Sequence, residues 1–489
     1  MMTSRATKNA AAAATGVAVA VAIAVGAILR TRAARARSGG RARRASQIAA
    51  IGTRTGGAYV LHRARRVLAA AERHEALDSG FQLRTAEAVA ETLGQMKGAM
   101  MKLGQMASYI DQGMPEPVRE ALAQLQQDAP PMSAELSAET VERELGASPD
   151  RLFAEWDANP IAAASIGQVH RAMTHDGRAV AVKVQYPGID EAIASDLGNA
   201  GLLLSAMGLM FPGLETGPLV AELRDRLLEE LDYELEADNQ RLFGDYYVGH
   251  PFIHVPAVVT RYSTSRVLTT ELAVGARFDE LVTWSQEERD LAAETIFRFV
   301  FRSLYRLRAF NGDPHPGNYL FAPGGSVTFL DFGLVKRFTD AEVTLFSSMI
   351  DAMVLRRDPG AFRRIIEDVG LLAPGQAFSD QRVEDYFGHF YEIVLDDAPR
   401  TMTQEYATES VRRVFDANGP HRDIMKVANV PPSFVIIQRI NLGLYAILGR
   451  LAATANWRRI AEELWPFVDG PASTLLGRRE ADWAAGRGR

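Results

Sequence analysis

The spacing of apolar residues changes along the chain, and each change predicts a different kind of secondary structure. Between Thr85 and Ile110 the apolar positions recur at helical spacing, which predicts one long helix. Apolar and polar residues then alternate on both sides of Asp176-Gly177, which predicts a β-hairpin with strands at 168–174 and 178–184. From Asp340 to Leu476 helical spacing returns. The pattern therefore predicts an α+β chain whose strands lie between two helical regions.

The segment between that hairpin and the last helical region mixes both kinds of element. Helices are predicted at 217–246 and 285–308, and short strands at 255–261 and 266–271. The stretch from Phe310 to Gly333 is predicted to form loop, strand, turn, strand and loop, with Pro323-Gly324-Gly325 as the turn. Such a hairpin brings its two flanking loops together.

Three oxygen-bearing side chains stand in those flanking loops, Asp313 and Asn318 before the first strand and Asp331 after the second. Because the loops meet, the side chains can converge, and hard oxygen ligands suit Mg²⁺ carrying nucleotide phosphates rather than zinc. The order Asp-x4-Asn followed by Asp-Phe-Gly is that of the catalytic and metal-binding loops of protein kinases. The alternative is that these residues only cap turns, as Asp and Asn often do.

Two features upstream could hold the phosphates of such a nucleotide. A run of small residues precedes the first hairpin, and it includes Ala162, Ala163, Ala164, Ser165 and Gly167. Small residues let backbone N–H groups approach phosphate oxygens, although a plain tight connection is the alternative. Lys183 lies among apolar residues of the second hairpin strand, so its charge needs a partner unless alternation simply directs it to solvent.

Candidate partners for Lys183 follow in the helical stretch at 217–246. Its acidic residues include Glu230, Asp232, Glu234, Glu236 and Asp238. Residues four apart share a helix face, so one acidic face can point inward while the other is solvated. The alternative is that the whole run forms a solvated surface.

The amino-terminal helix contains the unusual segment Lys102-Leu103-Gly104-Gln105. Gly98 and Gly104 each weaken a helix by about 1 kcal/mol relative to Ala. Their presence indicates close approach of another backbone or of a ligand.

Composition limits the class of protein. A chain of 489 residues with 47% hydrophobic and 23% charged residues is expected to form two or three globular units. Cysteine does not occur in the sequence, which excludes disulfides, thiolate chemistry and cysteine-based metal sites.

Charge is distributed unevenly. Residues 1–71 contain thirteen Lys or Arg and no acid, so the net charge of −6 leaves −19 on the remainder. This asymmetry argues against nucleic-acid binding by the body and favours contact of the basic arm with an anionic membrane surface. Residues 10–29 are uncharged and long enough for one membrane-spanning helix, and the arginines that follow should stay in the cytoplasm. A cleaved or targeting segment and a disordered leader are the alternatives.

Taken together, these motifs resemble the UbiB/AarF family of atypical kinases, protein-kinase-like proteins linked to ubiquinone and other isoprenoid-lipid metabolism. The resemblance extends over roughly Leu93 to Lys336 and rests on five motifs in the family's order. Lys102 and Gln105 match the Lys-x-Gly-Gln signature of an amino-terminal extension, which in the family covers the site where a protein kinase would bind its peptide. Glu230-Leu231-Asp232 resembles the Glu-x-Asp motif that meets this extension.

The resemblance also implies roles for the candidate site residues. Ala162 to Gln168 resembles an alanine-rich replacement of the Gly-rich loop, and Lys183 matches the nucleotide-binding lysine, with Glu236 as its candidate ion-pair partner. Glu271 stands where the hinge that holds adenine would begin. Asp313 matches the catalytic position, and the metal positions fall on Asn318 and Asp331.

The fold implied is α+β and protein-kinase-like, with a small β-rich N-lobe, a helical C-lobe and an amino-terminal helical extension. The expected boundaries are a basic leader at 1–45 with its candidate membrane segment at 10–29, the extension at 46–157, the N-lobe at 158–275 and the C-lobe at 276–489. The cofactors implied are ATP or ADP and Mg²⁺.

The function implied is that of an ATP-dependent phosphotransferase or ATPase on a membrane, with its body in the cytoplasm and organelle targeting left open. Its partners would be isoprenoid lipids or the enzymes of quinone biosynthesis, and not nucleic acid. Asn311-Gly312 stands where protein kinases have His-Arg, and no Ala-Pro-Glu follows Asp331-Phe332-Gly333, so a peptide-docking segment is not expected. The alternatives are a nucleotide-gated pseudokinase scaffold that binds lipid or biosynthetic enzymes, and a small-molecule phosphotransferase, against which the Lys102 to Gln105 helix counts.

Overall fold

The computed structural model describes residues 132–164, 166–190, 231–312, 314–415, 419–429 and 432–487. Contacts divide the chain into two units, and the unit formed by Pro131–Pro187 and Leu228–Arg489 contains all of these residues except 188–190. The elements and sites below belong to that unit. The leader at 1–45, its candidate span at 10–29 and the part of the predicted extension before residue 132 lie outside the described residues.

The first part of this unit is a small antiparallel sheet with helices beside it. Its elements are α1 (Ala134–Leu145), α2 (Pro149–Leu152), β1 (Glu155–Ala164), β2 (Gly167–Met173), β3 (Ala179–Gln185), α3 (Tyr233–Tyr246), β4 (Ile253–His254) and β5 (Val267–Glu271). The sheet has the order β1-β2-β3-β5, and each of its pairings is antiparallel. Strand β4 belongs to a second sheet, where it pairs in parallel with β8 of the next part.

The β2–β3 hairpin forms where alternation predicted it. Its turn contains Gly177 with φ of 81°, in the left-handed region that glycine enters without steric cost. Along β3, Val180, Val182 and Val184 point into a small core shared with α1. Because side chains alternate between the faces of a strand, Lys183 lies on the opposite face of the sheet.

The second part is mostly helical. Its elements are α4 (Phe278–Leu281), α5 (Gln286–Arg302), β6 (Ala309–Asn311), β7 (Tyr319–Ala322), β8 (Ser326–Phe329), β9 (Val335–Arg337), α6 (Asp340–Ile350), α7 (Pro359–Asp368), α8 (Asp380–Phe387), β10 (Arg400–Thr401), α9 (Gln404–Phe415), α10 (Arg422–Val427), α11 (Pro432–Leu451), β11 (Thr454–Ala455), α12 (Trp457–Leu464) and α13 (Leu475–Arg487). Helix α5 is the centre of the large core, which buries Ile296, Phe297 and Phe299.

The predicted helix at 285–308 and the hairpin predicted between Phe310 and Gly333 are both confirmed. Ser285 caps α5 by accepting a hydrogen bond from the backbone N–H of Glu288. The helix continues through a π-helical turn at Ser303–Leu307 and ends at Arg308, which has a positive φ of 51°. Strands β7 and β8 pair antiparallel around Gly324 and Gly325, whose φ angles are 77° and 76°.

Two strand predictions need correction. Strand β1 was not predicted, because its pairing with β2 shifts register on both sides of Pro160 and so obscures any alternation in the sequence. The predicted strand at 255–261 is wrong. Pro256 lacks the N–H that a ladder needs, the pairing is limited to a bridge between Val258 and Thr270, and residues 260–262 form a 3₁₀ turn.

The carboxy-terminal region is helical as predicted, and Pro374, Pro420 and Pro432 mark breaks or starts of helices. Within the described part of the chain, no helix is both long and apolar enough to cross a membrane. The observed order, a small sheet followed by a helical region, agrees with the predicted α+β class.

Candidate functional site

Lys183 lies on β3 opposite Val169 of β2 and Leu268 of β5, so strands on both sides fix its backbone. Its Nζ atom donates to both carboxylate oxygens of Glu236, each at 2.8 Å. The same Nζ lies 4.9 Å from the ring centre of Tyr233. Alternation therefore directs the lysine toward helix α3 rather than to open solvent, and its charge has the partner that burial requires.

Helix α3 explains why Glu236, among the acidic residues of its region, meets the lysine. The helix buries a face made of Tyr233, Glu236, Ala237, Asn239, Gln240 and Phe243, whereas Glu234 and Asp238 are exposed. Asp232 is the N-cap, and its carboxylate accepts hydrogen bonds from the backbone N–H groups of Glu234 and Leu235. Among the described acidic residues of α3 and its N-cap, Glu236 is therefore the buried one, whereas Asp232, which was predicted to share its face, is exposed.

Asp331 is the third member of what we call the Lys183 cluster (Lys183, Glu236 and Asp331). Its Oδ2 atom lies 3.7 Å from the lysine Nζ, and its Oδ1 atom accepts a hydrogen bond from the backbone N–H of Gly333 at 2.9 Å. Asn239 of α3 donates to the backbone carbonyl of Phe332 at 3.2 Å. Helix α3 therefore orders both the lysine and the loop that carries Asp331.

Electrostatics inside the cluster favour the charged lysine. Burial alone would lower the pKa of Lys183, but the carboxylates of Asp331 and Glu236 outweigh it and hold that pKa well above its ordinary value. The lysine side chain is 17% exposed, Glu236 is 4% exposed and Asp331 is 28% exposed. Two carboxylates thus surround one cation, and the more accessible carboxylate is Asp331.

The β7–β8 hairpin brings the two candidate metal ligands to one end. Tyr319 pairs with Phe329, and the backbone N–H of Leu330 donates to the carbonyl of Asn318 at 3.0 Å. Asn318 and Asp331 therefore leave the same end of the hairpin, as the sequence predicted. Among the described residues, no group of three or more His, Asp or Glu side chains forms a metal cluster.

Asp313, the candidate catalytic residue, lies outside the described residues, but its chain neighbours are fixed. Strand β6 pairs with β9, and the backbone N–H of Gly312 donates to the carbonyl of Leu334 at 2.7 Å. The side-chain amide of Asn311 donates to the backbone carbonyl of Asp331. The two residues before Asp313 are thus hydrogen-bonded to the loop that carries Asp331, one to Asp331 itself and one to Leu334.

The described residues of the small-residue run lie at the end of β1 and the start of β2. Ala162, Ala163 and Ala164 end β1 and pair with Val169, Gln168 and Gly167, while Ser165 lies outside the described residues. A side chain at Gly167 would collide with the backbone carbonyl of Val184, the residue after Lys183. Glycine is therefore required where the start of β2 approaches β3.

Glu271 ends β5, as predicted, but its side chain belongs to a different neighbourhood from the Lys183 cluster. Its carboxylate is 51% exposed and lies 3.5 Å from Nε2 of His254 and 3.5 Å from the backbone nitrogen of Ala257. The connector that follows passes close to β7, because a Cβ at Gly275 would lie 2.9 Å from the carbonyl oxygen of Phe321. Contact of Glu271 with a nucleotide stays a prediction.

Three residues of the predicted contact between the amino-terminal extension and the Glu-x-Asp motif, namely Lys102, Gln105 and Glu230, lie outside the described residues. Asp232 of the same motif is exposed, and its side chain caps α3.

Sequence reasoning missed three residues that shape the site. Asn239 and Asn311 hold the Asp331 loop, and their signal was their position beside Glu236 and Asp313 in the sequence. Gly443 of α11 packs against Pro314 so closely that a Cβ there would collide with the proline ring. It lies 129 residues from Pro314 in the sequence, so no local pattern points to it.

Comparisons with known proteins agree with these motifs. The family model of the ABC1 atypical kinase-like domain matches residues 124–364. The mitochondrial atypical kinase COQ8 of Saccharomyces cerevisiae is 30% identical over 386 residues, which cover 78% of this chain and 76% of that protein. The mitochondrial atypical kinase COQ8B of Rattus norvegicus is 34% identical over 319 residues. The chain spans 60% of the length of that rat protein and 50% of the Caenorhabditis elegans relative coq-8.

A solved structure supports the same assignment. The complex of Rv3197 with erythromycin, from Mycobacterium tuberculosis, matches with a TM-score of 0.58 and 30% sequence identity, covering 80% of this chain and 98% of that one. The predicted protein-kinase-like α+β fold is thereby confirmed. The chain belongs to the COQ8/AarF (UbiB) family of atypical kinases, as the motifs in its sequence indicated.

Proposed function

We propose that the chain binds ATP or ADP with Mg²⁺ at the Lys183 cluster and acts as an atypical kinase or ATPase. The observation that carries the proposal is the cluster itself, in which a strand lysine meets a buried helix glutamate at 2.8 Å and a loop aspartate at 3.7 Å. Kinase-type phosphoryl transfer depends on such a lysine–glutamate pair together with a metal-binding aspartate.

The charges of the cluster fit a magnesium nucleotide. Glu236 and Asp331 bring two carboxylates to one lysine, and Asp331 is the more exposed of the two. Asp331 and Asn318 would provide hard oxygen ligands, and Mg²⁺ in proteins usually completes its shell with water and phosphate oxygens. When bound, the ion would neutralise phosphate charge.

Each residue of the candidate site has a distinct role in this proposal. Lys183 would orient nucleotide phosphates, and Glu236 would keep its ammonium group in place. The β1–β2 turn, with Gly167 at its end, would bring backbone N–H groups to the phosphates. Asp313 would accept a proton from an acceptor hydroxyl or position a water molecule. Asn311 supports this by joining the Asp313 segment to the carbonyl of Asp331.

The acceptor is inferred from family membership. We propose that the protein supports the metabolism of ubiquinone or of another isoprenoid lipid, by acting on the lipid or on the enzymes that make it. The basic arm at 1–71 would contact an anionic membrane, with the catalytic body on the cytoplasmic side or, given that the COQ8 relatives are named mitochondrial, inside an organelle. Comparing the quinone content of a deletion strain carrying the parent or Asp313→Asn would test this part.

The experiment for the activity measures ATP hydrolysis by the full chain with and without anionic liposomes. Asp313→Asn should reduce turnover by about 100-fold or more, since general-base groups contribute 10²–10⁴-fold. The matched control is Asp279→Asn, which removes a carboxylate that is 91% exposed. If the parent binds nucleotide but shows no Asp313-dependent turnover under either condition, the protein is a nucleotide-gated scaffold instead.

A further inference from the structure

Helix α13, at the end of the described chain, lies against the carboxy-terminal end of α3, the helix that carries Glu236. Trp483 packs edge-on against the rings of Tyr246 and His250, with centroids 5.9 and 4.4 Å away. The guanidinium of Arg487 lies over the rings of Trp483 and Tyr246, 4.9 and 5.4 Å from their centres. The contact therefore joins one turn of α13 to the last turn of α3 and the residues after it.

Polar groups of α13 complete the end of α3. Arg487 donates from Nη1 to the carbonyl of Tyr246 and from Nη2 to the carbonyl of Asp245 at 3.3 Å. Trp483 donates from Nε1 to the carbonyl of Val248 at 3.2 Å. The last carbonyls of a helix have no partner within it and carry the negative end of its dipole. The last turn of α3 has no basic residue of its own, so Arg487 supplies that positive charge from another helix.

Helix α13 is itself anchored in the core. Its Glu480 is 1% exposed and pairs with Arg298 at 2.8 Å and with Arg302 at 2.6 Å, both on α5. Glu480 also lies 3.3 Å from Nε2 of His250, just beyond α3. Arg479 donates to the carbonyl of Pro251 at 2.8 Å. The contact with α3 thus rests on a fixed support rather than on a loosely packed terminus.

Because a helix moves as a rod over short distances, fixing one end constrains the other. Glu236 and Tyr246 are ten residues apart in α3, about 15 Å along its axis. Between them Phe243 is fully buried and packs against Phe332, with ring centroids 5.0 Å apart. Movement of the Tyr246 end would therefore shift both Glu236 and the loop of Asp331.

We propose that Arg487 and Trp483 are positioning residues that hold Glu236 on Lys183 through helix α3. The expected effect of these residues on nucleotide affinity rests on the function proposed above, whereas their expected effect on the stability of α3 does not. Helix α13 would then stabilise the contact between Glu236 and Lys183 without itself touching the nucleotide site.

The first test measures amide hydrogen exchange of residues 233–246 in the full chain. Arg487→Ala should speed exchange there by about 3- to 10-fold, in line with the energies of charges at helix ends. The matched control is Arg478→Ala, which removes an exposed arginine from the same helix. Exchange in Arg487→Ala no faster than in Arg478→Ala would overturn the proposal.

The second test is a double-mutant cycle on Mg-ATP affinity. Arg487→Ala should weaken binding by about 3- to 10-fold in the parent and have no further effect in Glu236→Gln, because the arginine acts through that glutamate. Equal effects in both backgrounds would show a general structural role and overturn the proposal. If the parent binds no nucleotide, the function proposed above fails, and the exchange comparison alone decides the role of α13.

Discussion

Two ionic clusters in the same structural unit differ in how completely their charges are enclosed. In the arginine cluster (Arg298, Arg302, Glu294, Glu463 and Glu480), the side chain of Arg298 is 0% exposed. Its three guanidinium nitrogens each meet a different glutamate, at 2.7 to 2.8 Å. In the Lys183 cluster, one ammonium group faces two carboxylates, and Asp331 keeps 28% of its surface exposed.

This difference in exposure is consistent with a structural role for the arginine cluster and with the binding role proposed for the Lys183 cluster. Each guanidinium nitrogen of Arg298 already donates to a glutamate of α5, α12 or α13. The arginine cluster therefore joins three helices, and its guanidinium group is not accessible to a ligand. In the Lys183 cluster the carboxylate of Asp331 is partly exposed, so it is accessible to the metal-bound nucleotide proposed above. Burial of charge therefore does not by itself indicate a binding site, and the exposure of Asp331 is what distinguishes the Lys183 cluster from the arginine cluster.

The largest expected effect is on stability, from Arg298→Met. Removing this arginine takes the cation from Glu294 and Glu463, whose side chains are nearly buried, while Glu480 keeps Arg302. Breaking a buried ion pair costs about 3–5 kcal/mol of unfolding free energy. Urea unfolding followed by circular dichroism would measure it, with Arg478→Met as the exposed control on α13. A loss below about 1 kcal/mol, the range of surface pairs, would contradict the structural role of the cluster.

Acid should weaken the arginine cluster. Burial alone would raise the pKa of Glu480. The hydrogen bond from His250 and the charges of Arg302 and Arg298 instead hold that pKa at about 2, below its ordinary value of 4.5. Because the folded-state pKa is the lower one, the carboxylate stabilises fully above pH 4.5 and loses about 3 kcal/mol as pH falls towards 2. Unfolding free energy should fall more steeply below pH 4.5 in the parent than in Glu480→Gln, and parallel curves would contradict this.

Asp331→Asn should separate binding from stability at the Lys183 cluster. The variant removes one negative charge beside Lys183, while the amide oxygen can still accept the hydrogen bond from Gly333. We expect affinity for Mg-ATP to fall by about 10-fold or more, since charged hydrogen-bonding partners are worth about 1.5–3 kcal/mol. The unfolding free energy should fall by less than about 1 kcal/mol, because Asp331 is partly exposed and Glu236 still pairs with Lys183. Calorimetric titration and thermal unfolding on the same preparation would measure both, and a parallel loss of stability would place Asp331 with the structural charges.

The smallest effect is expected for an exposed pair. Arg459 and Asp397 form a close ion pair on the surface, where each side chain is about half exposed and solvent screens the attraction. Asp397→Asn should leave the unfolding midpoint and nucleotide affinity within error of the parent. A measurable change in either would show that exposure does not rank the ion pairs of this protein.

The sequence was informative where a local pattern decides the structure. Asp176-Gly177 and Gly324-Gly325 set two hairpins, and alternation in β3 placed Lys183 on the face opposite the buried valines. The motif order then indicated Glu236 as partner of Lys183, and the structure places them 2.8 Å apart.

The failures came from contacts between distant segments or from interrupted patterns. Register shifts around Pro160 concealed β1, and Pro256 prevented the strand predicted at 255–261. The arginine cluster joins residues up to 182 positions apart, and Gly443 meets Pro314 across 129 positions, so neither contact leaves a periodic signal. Tertiary packing alone decides such contacts.

The measurement that tests the account most directly is a Mg-ATP titration of the full chain, its Lys183→Ala variant and a Lys426→Ala control. Lys426 is exposed on α10, so its loss removes the same charge away from the Lys183 cluster. The account predicts that the parent and the control bind alike, and that Lys183→Ala binds at least about 10-fold more weakly, as expected for loss of a charged hydrogen-bond partner. Binding by Lys183→Ala as tight as that of the parent would contradict the assignment of the cluster to nucleotide phosphates.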